Sequence, residues 1–298
     1  MYTAERLADT EELYAKFRYR PDLGEGFTGK RRPTVFYVRL DESEPSVHRL
    51  ITPEHLYIGQ AIFSPFSNGT LFATAHELQP DWRLLGPKGC HNRATGIWKV
   101  VLQEEKGEGD WKVDLEKITD SNLSCRSPRV IDDKLVWFSE ASSGAHISTT
   151  AIHSLDLSPN SANRSVILDV QKAPTPDGWP GLYPPANFLP APQLRLNAKS
   201  SKATHLAVQS HVGSRDHVVL VSLDGKPMVL DPDGEDYSWA VLATDGARRL
   251  VCSRSTPGIP YEIVVGDVSE PGNVAWQVID EPVLDEDGEC FHMQRILV

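Results

Sequence analysis

Strand-forming runs recur along this chain in groups of four, and that rhythm excludes most architectures. The first group is "GQAIFSP", "TLFATAHE", "GIWKVVL" and "LEKIT"; the second is "SPRVID", "KLVWFSE", "AIHSLDLS" and "SVILDV". The third reads "QLRLNAK", "THLAVQS", "HVVLVSLDG" and "PMVLDP", and the fourth "WAVLATDG", "RRLVCSRST", "YEIVVGDVS" and "VAWQVID". Runs of Val, Ile, Leu, Phe and Trp bounded by Gly, Pro, Asp, Asn and Ser are how strands and turns are written. The 21 glycines and 22 prolines supply those turns.

In the last three groups the third run ends in an Asp followed by turn formers: "LDLSPN", "SLDGK" and "GDVSEPG". Asp accepts hydrogen bonds from the main chain of a tight turn, which Gly or Pro completes. Group starts at Gly59, Ser127, Gln193 and Trp239 have the spacing of four-stranded propeller blades with loops of variable length. "TVFYVRL" at 34–40 and "VHRLIT" at 47–52 look like the last two strands of an earlier blade. The expectation is therefore an all-β chain, a β-propeller of about four and a half blades and so incomplete as a ring. Strand edges left unpaired by such a ring favour self-association. Residues 1–17 predict a short helix, with Leu7, Leu13, Tyr14 and Phe17 as an imperfect apolar stripe. The expected organisation is a helix and lead-in over 1–30, the partial propeller over 31–282 and a closing segment over 283–298.

Composition narrows the function. Over 298 residues the net charge is −11, which argues against a nucleic-acid or anionic-membrane surface. The basic run "GKRRP" at 29–33 is too short to reverse that. No stretch approaches the roughly 20 apolar residues of a membrane span, and the N-terminus lacks a signal-peptide core, so the expected location is cytoplasmic. Cys90, Cys125, Cys252 and Cys290 form no CxxC pair, and free thiols are expected in place of a zinc site.

Each chemical motif has a plainer reading. Cys90, His91 and Asn92 carry the residue types of a thiol hydrolase, but a strand-entry turn needs polar residues as well. No G-x-S-x-G elbow occurs. "DPDGED" at 231–236 and "DEDGE" at 285–289 resemble calcium loops, yet Ala240 and Gln294 stand where the closing Glu is required. Trp98, Trp137, Trp239 and Trp276 fall within strands, where packing between blades is expected; Trp82 and Trp179 fall in loops. The Pro-rich stretch 172–190 reads as a spacer between blades or a surface packed on another domain. No residue is assigned a catalytic, cofactor-binding or metal-binding role, and no cofactor is expected.

"YRPDLGEGFTGKRRPTVFYVRL", "GQAIFSP", "GCHNRATGIWKV", "SCRSPRV", "DKLVWFSE", "GLYPPANFLPAPQL", "SWAVLATDG" and "STPGIPYEIVVGDV" occur in an order that resembles the propeller region of acylaminoacyl-peptidase. That family, also called acylpeptide hydrolase, belongs to the prolyl oligopeptidase group of serine peptidases. The resemblance implies an enzyme that releases an N-acylated amino acid from a short peptide. In it a propeller of about seven blades covers an α/β-hydrolase domain that holds the Ser-Asp-His triad. It further implies that this chain begins partway round the propeller and stops near where the hydrolase domain would start, so that no family catalytic residue maps onto it. The implied partners are that hydrolase domain or further copies of the chain, with short N-acylated peptides passing through. Two other classes remain open at this point: a stand-alone interaction scaffold, and a small-molecule enzyme with a metal in the propeller channel.

Overall fold

In a computed structural model the described residues are 2–5, 14, 17, 23–40, 44–103, 109–158, 163–196, 201–230 and 237–281. They are almost wholly β-strand and turn, with one short 3-10 turn at Glu25–Phe27. The chain divides into two compact units: residues 1–148 with 153–163, and residues 149–152 with 164–298.

In the first unit, strands β1 (Tyr2–Glu5), β2 (Pro33–Arg39), β3 (Ser46–Ile51), β4 (Leu56–Phe63), β5 (Thr70–Glu77), β6 (Thr95–Gln103) and β7 (Trp111–Lys117) form one sheet in the order β1-β2-β3-β7-β6-β5-β4. The meander β4 to β7 is the first sequence group, with its last strand beginning earlier than "LEKIT" suggested. Its inward positions, among them Leu56, Ile58, Leu71, Ala73, Val100 and Trp111, form a buried cluster. Successive residues alternate between the two faces, so these positions meet this core while Phe72 of β5 and Ile97 of β6 are buried on the opposite face.

Two expectations are corrected here. Tyr2–Glu5 is not helical: it pairs antiparallel with β2, Tyr2 opposite Phe36 and Glu5 opposite Pro33. A short helix with an imperfect stripe is marginal by itself, whereas the open edge of β2 offers a full set of main-chain partners. Tyr14 and Phe17, two members of the supposed stripe, are exposed, and residues 6–13 lie outside the described set. Second, β2 and β3 are not separate from the next group. Leu50 and Ile51 of β3 pair parallel with Trp111 and Lys112 of β7, which joins the two into one sheet.

The next sheet has the order β11-β10-β9-β8, from β8 (Leu123–Ile131), β9 (Lys134–Ala141), β10 (Ala151–Asp156) and β11 (Arg164–Leu168). The division between the units passes through it. Within the first unit, Cys125, Leu135 and Trp137 from this sheet pack with Phe72, Ile97 and Ile118.

In the second unit, β12 (Gln193–Leu194), β13 (His205–Val212), β14 (Arg215–Ser222) and β15 (Pro227–Leu230) make one four-stranded meander. Strands β16 (Ser238–Thr244), β17 (Arg249–Thr256), β18 (Ile259–Asp267) and β19 (Trp276–Asp280) make another. Both meanders share one core, which includes Leu194, Val218, Leu220, Trp239, Leu250 and Cys252. The Pro-rich stretch 172–190 is no mere spacer, because Leu182 and Phe188 are buried. Tyr183 is tied to β13 at both ends of its peptide: its N–H donates to Ser210 Oγ at 2.9 Å, and its carbonyl accepts from His211 N–H at 3.1 Å.

The turn chemistry read from the Asp residues is present. Asp156 Oδ1 accepts from Ser158 N–H at 2.8 Å and Asp267 Oδ1 accepts from Ser269 N–H at 3.0 Å. Asp224 is held by the Ser222 hydroxyl and by Lys226 Nζ at 3.2 Å.

Candidate functional site

The Cys90–Arg93 segment is the loop that leads into β6. Arg93 donates to Cys90 Sγ at 3.5 Å, and the His91 carbonyl accepts from Ser124 Oγ at 2.5 Å. Asn92 ties this loop to the one after β9: its side-chain amide donates to the Gly144 carbonyl at 2.7 Å, and its own carbonyl accepts from Ser143 N–H at 2.8 Å. His91 Nδ1 lies 3.8 Å from Glu140, a carboxylate only 3% exposed. Glu140 accepts from Arg126 Nη1 at 2.9 Å and from Ser148 Oγ at 3.4 Å, while the Arg126 guanidinium lies 5.4 Å from the Phe138 ring.

Burial, followed by the positive charge of Arg126, holds the His91 pKa below its ordinary value; Glu140 opposes them. His91 is therefore neutral near pH 7. Among the described residues no hydrogen bond joins Cys90 to His91, so the thiol lacks the adjacent base that nucleophilic catalysis requires. Burial pushes the Cys125 thiol up to about 11 and the Cys252 thiol up to about 12, which keeps both protonated. Cys290 lies outside the described residues, as do both acidic loops at 231–236 and 285–289.

A serine–histidine contact does occur, at a place the sequence reading passed over. Ser46 and His48 are two apart on β3 and share a face. Ser46 Oγ is 3.0 Å from His48 Nε2, and His48 Nδ1 is 3.0 Å from the Gly109 carbonyl. A carbonyl can only accept, so Nδ1 carries a proton and donates to Gly109, while Nε2 faces the serine hydroxyl. The imidazole is buried and stacked on Trp111 at 4.3 Å between centroids, with Tyr37 stacked on that indole at 4.8 Å. A hydrolase triad places a carboxylate behind the histidine to stabilise the imidazolium; here a neutral carbonyl fills that position. The alternation Ser-Val-His was the available signal for this pair.

A second polar node joins β4 to β8. Gln60 Oε1 accepts from Thr74 Oγ1 at 2.7 Å and from Ser127 N–H at 2.9 Å. The same N–H also reaches Thr74 Oγ1 at 3.1 Å. Gln60 and Ser127 both have left-handed backbone, with φ of 49° and 56°, and each sits at a break in strand register.

In the second unit a cavity of about 480 Å³ is lined by residues that include Thr204, His205, Ser222, Asp224, Lys226 and Met228. Its charges are mutually satisfied by the Asp224–Lys226 pair. Burial lowers the His205 pKa, against the opposing charge of Asp224, and its Nδ1 bonds Thr204 Oγ1 at 2.9 Å. Among the described residues no cluster of three or more His, Cys, Asp or Glu side chains is placed to hold a metal ion, and no helix is long and apolar enough to cross a membrane. Of the loop tryptophans, Trp82 is exposed, and Trp179 closes a turn through Thr175.

Four-stranded meanders packed on apolar clusters within each unit define an all-β chain of the propeller class. Solved structures agree on that class: the chain is similar to prolyl oligopeptidase B from Galerina marginata, with a TM-score of 0.52 at 12% identity, over 94% of this chain and 32% of that one. Residues 5–290 match the family described as acylamino-acid-releasing enzyme, N-terminal domain, and the chain belongs to that family. It is 29% identical over 283 residues to the acylamino-acid-releasing enzyme of Arabidopsis thaliana, covering 89% of this chain and 36% of that protein. It is 28% identical over 302 residues to acylamino-acid-releasing enzyme 1 of Oryza sativa subsp. japonica, covering 92% and 38% respectively. The chain thus spans little more than a third of the length of these curated relatives.

Proposed function

We propose that this chain is a non-catalytic propeller-type domain that docks on an α/β-hydrolase domain and admits short N-acylated peptides to it, in the cytoplasm. The observation that carries this reading is the family match over residues 5–290, to an N-terminal domain of an acylamino-acid-releasing enzyme. Local chemistry supports it. Asn92 ties two loops together, Cys90 bonds Arg93 within its own loop, the His91 carbonyl bonds Ser124, and the buried His48 ring beside Ser46 has a carbonyl in place of a carboxylate behind it. A ring of blades with a narrow opening excludes folded proteins by size and passes short peptides, so gating needs no reactive group of its own.

The test is an assay of the purified chain on acetyl-amino-acid chromogenic amides. No turnover above buffer is expected, from either the native chain or Ser46→Ala. Turnover that a serine-directed organophosphate abolishes, and that Ser46→Ala removes, would overturn the reading.

A further inference from the structure

We propose that Asn68 is a site of spontaneous modification, converting to aspartate and isoaspartate through a succinimide, and that the fold leaves this chemistry open at Asn68 while blocking it at the three Asp-Gly turns among the described residues. Asn68 is the one asparagine of the sequence that is followed by glycine. The pair forms the tip of the β4–β5 hairpin, where Thr70 N–H donates to the Ser67 carbonyl at 3.2 Å and Gly69 has φ of 71°. Asn68 is exposed. Among the described residues no hydrogen bond engages its side-chain amide or the Gly69 N–H, so both reacting groups are available.

In the reaction the Gly69 nitrogen loses its proton and attacks the Asn68 side-chain carbonyl carbon. The new C–N bond closes the imide as the bond from the side-chain carbonyl carbon to the amide nitrogen breaks, and that nitrogen leaves as ammonia with a proton equivalent to the one Gly69 gave up. Solvent water then opens the ring at either carbonyl, leaving an ordinary aspartyl residue or a β-linked isoaspartyl main chain where the asparagine stood. Glycine favours the attack because no side chain crowds its nitrogen. The product gains a negative charge, and in the isoaspartyl form one extra main-chain carbon, at a turn whose Gly69 carbonyl accepts from Leu102 N–H at 2.7 Å.

Asp177, Asp224 and Asp245 also directly precede glycine, yet each carboxylate is held. Asp177 accepts from the Thr175 hydroxyl, and Asp224 from Ser222 with Lys226 beside it. Asp245 accepts three main-chain N–H groups, from Ala247, Arg248 and Arg249, at 2.8 to 2.9 Å. An ionised, hydrogen-bonded carboxylate is a poor electrophile and cannot rotate onto the following nitrogen. Asp233 and Asp287 precede glycine too, but lie outside the described residues.

The experiment incubates the full chain at mildly alkaline pH beside a free Ser-Asn-Gly-Thr peptide, then maps tryptic fragments. Fragment 50–83 contains Asn68 as its only asparagine, so a gain of about one dalton there reports the site directly. Isoaspartyl methyltransferase labelling identifies the β-linked product. The expected result is conversion of fragment 50–83 within tenfold of the peptide rate, absent in Asn68→Gln, with no isoaspartate at Asp177, Asp224 or Asp245. A fragment 50–83 still unmodified after the peptide has fully converted would overturn the proposal; so would isoaspartate forming first at any of the three held aspartates.

Discussion

At the scale of single residues, the most consequential side chains are polar groups that the sheets have enclosed. His76 on β5 is largely buried, and its Nδ1 has no hydrogen-bond partner among the described residues; burial pushes its pKa down to about 4 from 6.5. Between those two values the unfolded chain binds a proton that the folded chain refuses, so stability is full above pH 6.5 and declines as the pH falls toward 4. Denaturant titrations of wild type and His76→Leu should show that this site accounts for up to about 3 kcal/mol of the acid loss, absent in the variant. The Arg126–Glu140 pair acts through its partners. Glu140→Leu alone leaves a buried guanidinium without its carboxylate and should cost about 3–5 kcal/mol, whereas Arg126→Met combined with Glu140→Leu should recover most of it. A chemical-denaturation double-mutant cycle reads the coupling, and equal costs for the single and double variants would count against it. Neither partner is marked in the sequence, because an Arg and a Glu fourteen positions apart look like any other surface charges until β8 and β9 bring them together.

Individual strands tell a similar story one level up. The four-run grouping, the alternation along each strand and the Asp-led turns were legible because each is local: a strand's faces follow from its period of two, and a turn's chemistry from three or four adjacent residues. Breaks in register were not legible. Gln60 reads as an ordinary polar residue in "GQAIFSP", yet its left-handed backbone interrupts β4 and aims its amide at Ser127, which lies 67 positions away. Gln60→Ala should remove one acceptor of the buried Ser127 N–H, with Thr74 Oγ1 still at 3.1 Å, and cost about 1 kcal/mol, seen as a lower denaturation midpoint with unchanged slope. β1 was misread for the complementary reason, since its partner edge is contributed by residues 33–36 and no window within the first seventeen residues contains it.

For the molecule as a whole, the proposed role makes a prediction about size. Mixed with a separately expressed hydrolase domain of its family, the chain should leave cleavage of acetylated dipeptides nearly unchanged and suppress cleavage of long or unfolded acetylated chains at least tenfold. Equal suppression at every length would point to simple blockage in place of selection. The amino-acid sequence by itself determined the strand runs, their grouping into meanders, the turns between them and the family, since all of these depend on patterns among near neighbours or on their order. Only the tertiary structure decided that β3 lies parallel to β7, that residues 2–5 complete a sheet edge, and which buried polar groups meet. Those outcomes depend on partners far apart along the chain. A main-chain N–H or a carboxylate must be satisfied by whatever packing brings within hydrogen-bond distance, and that choice is made in three dimensions.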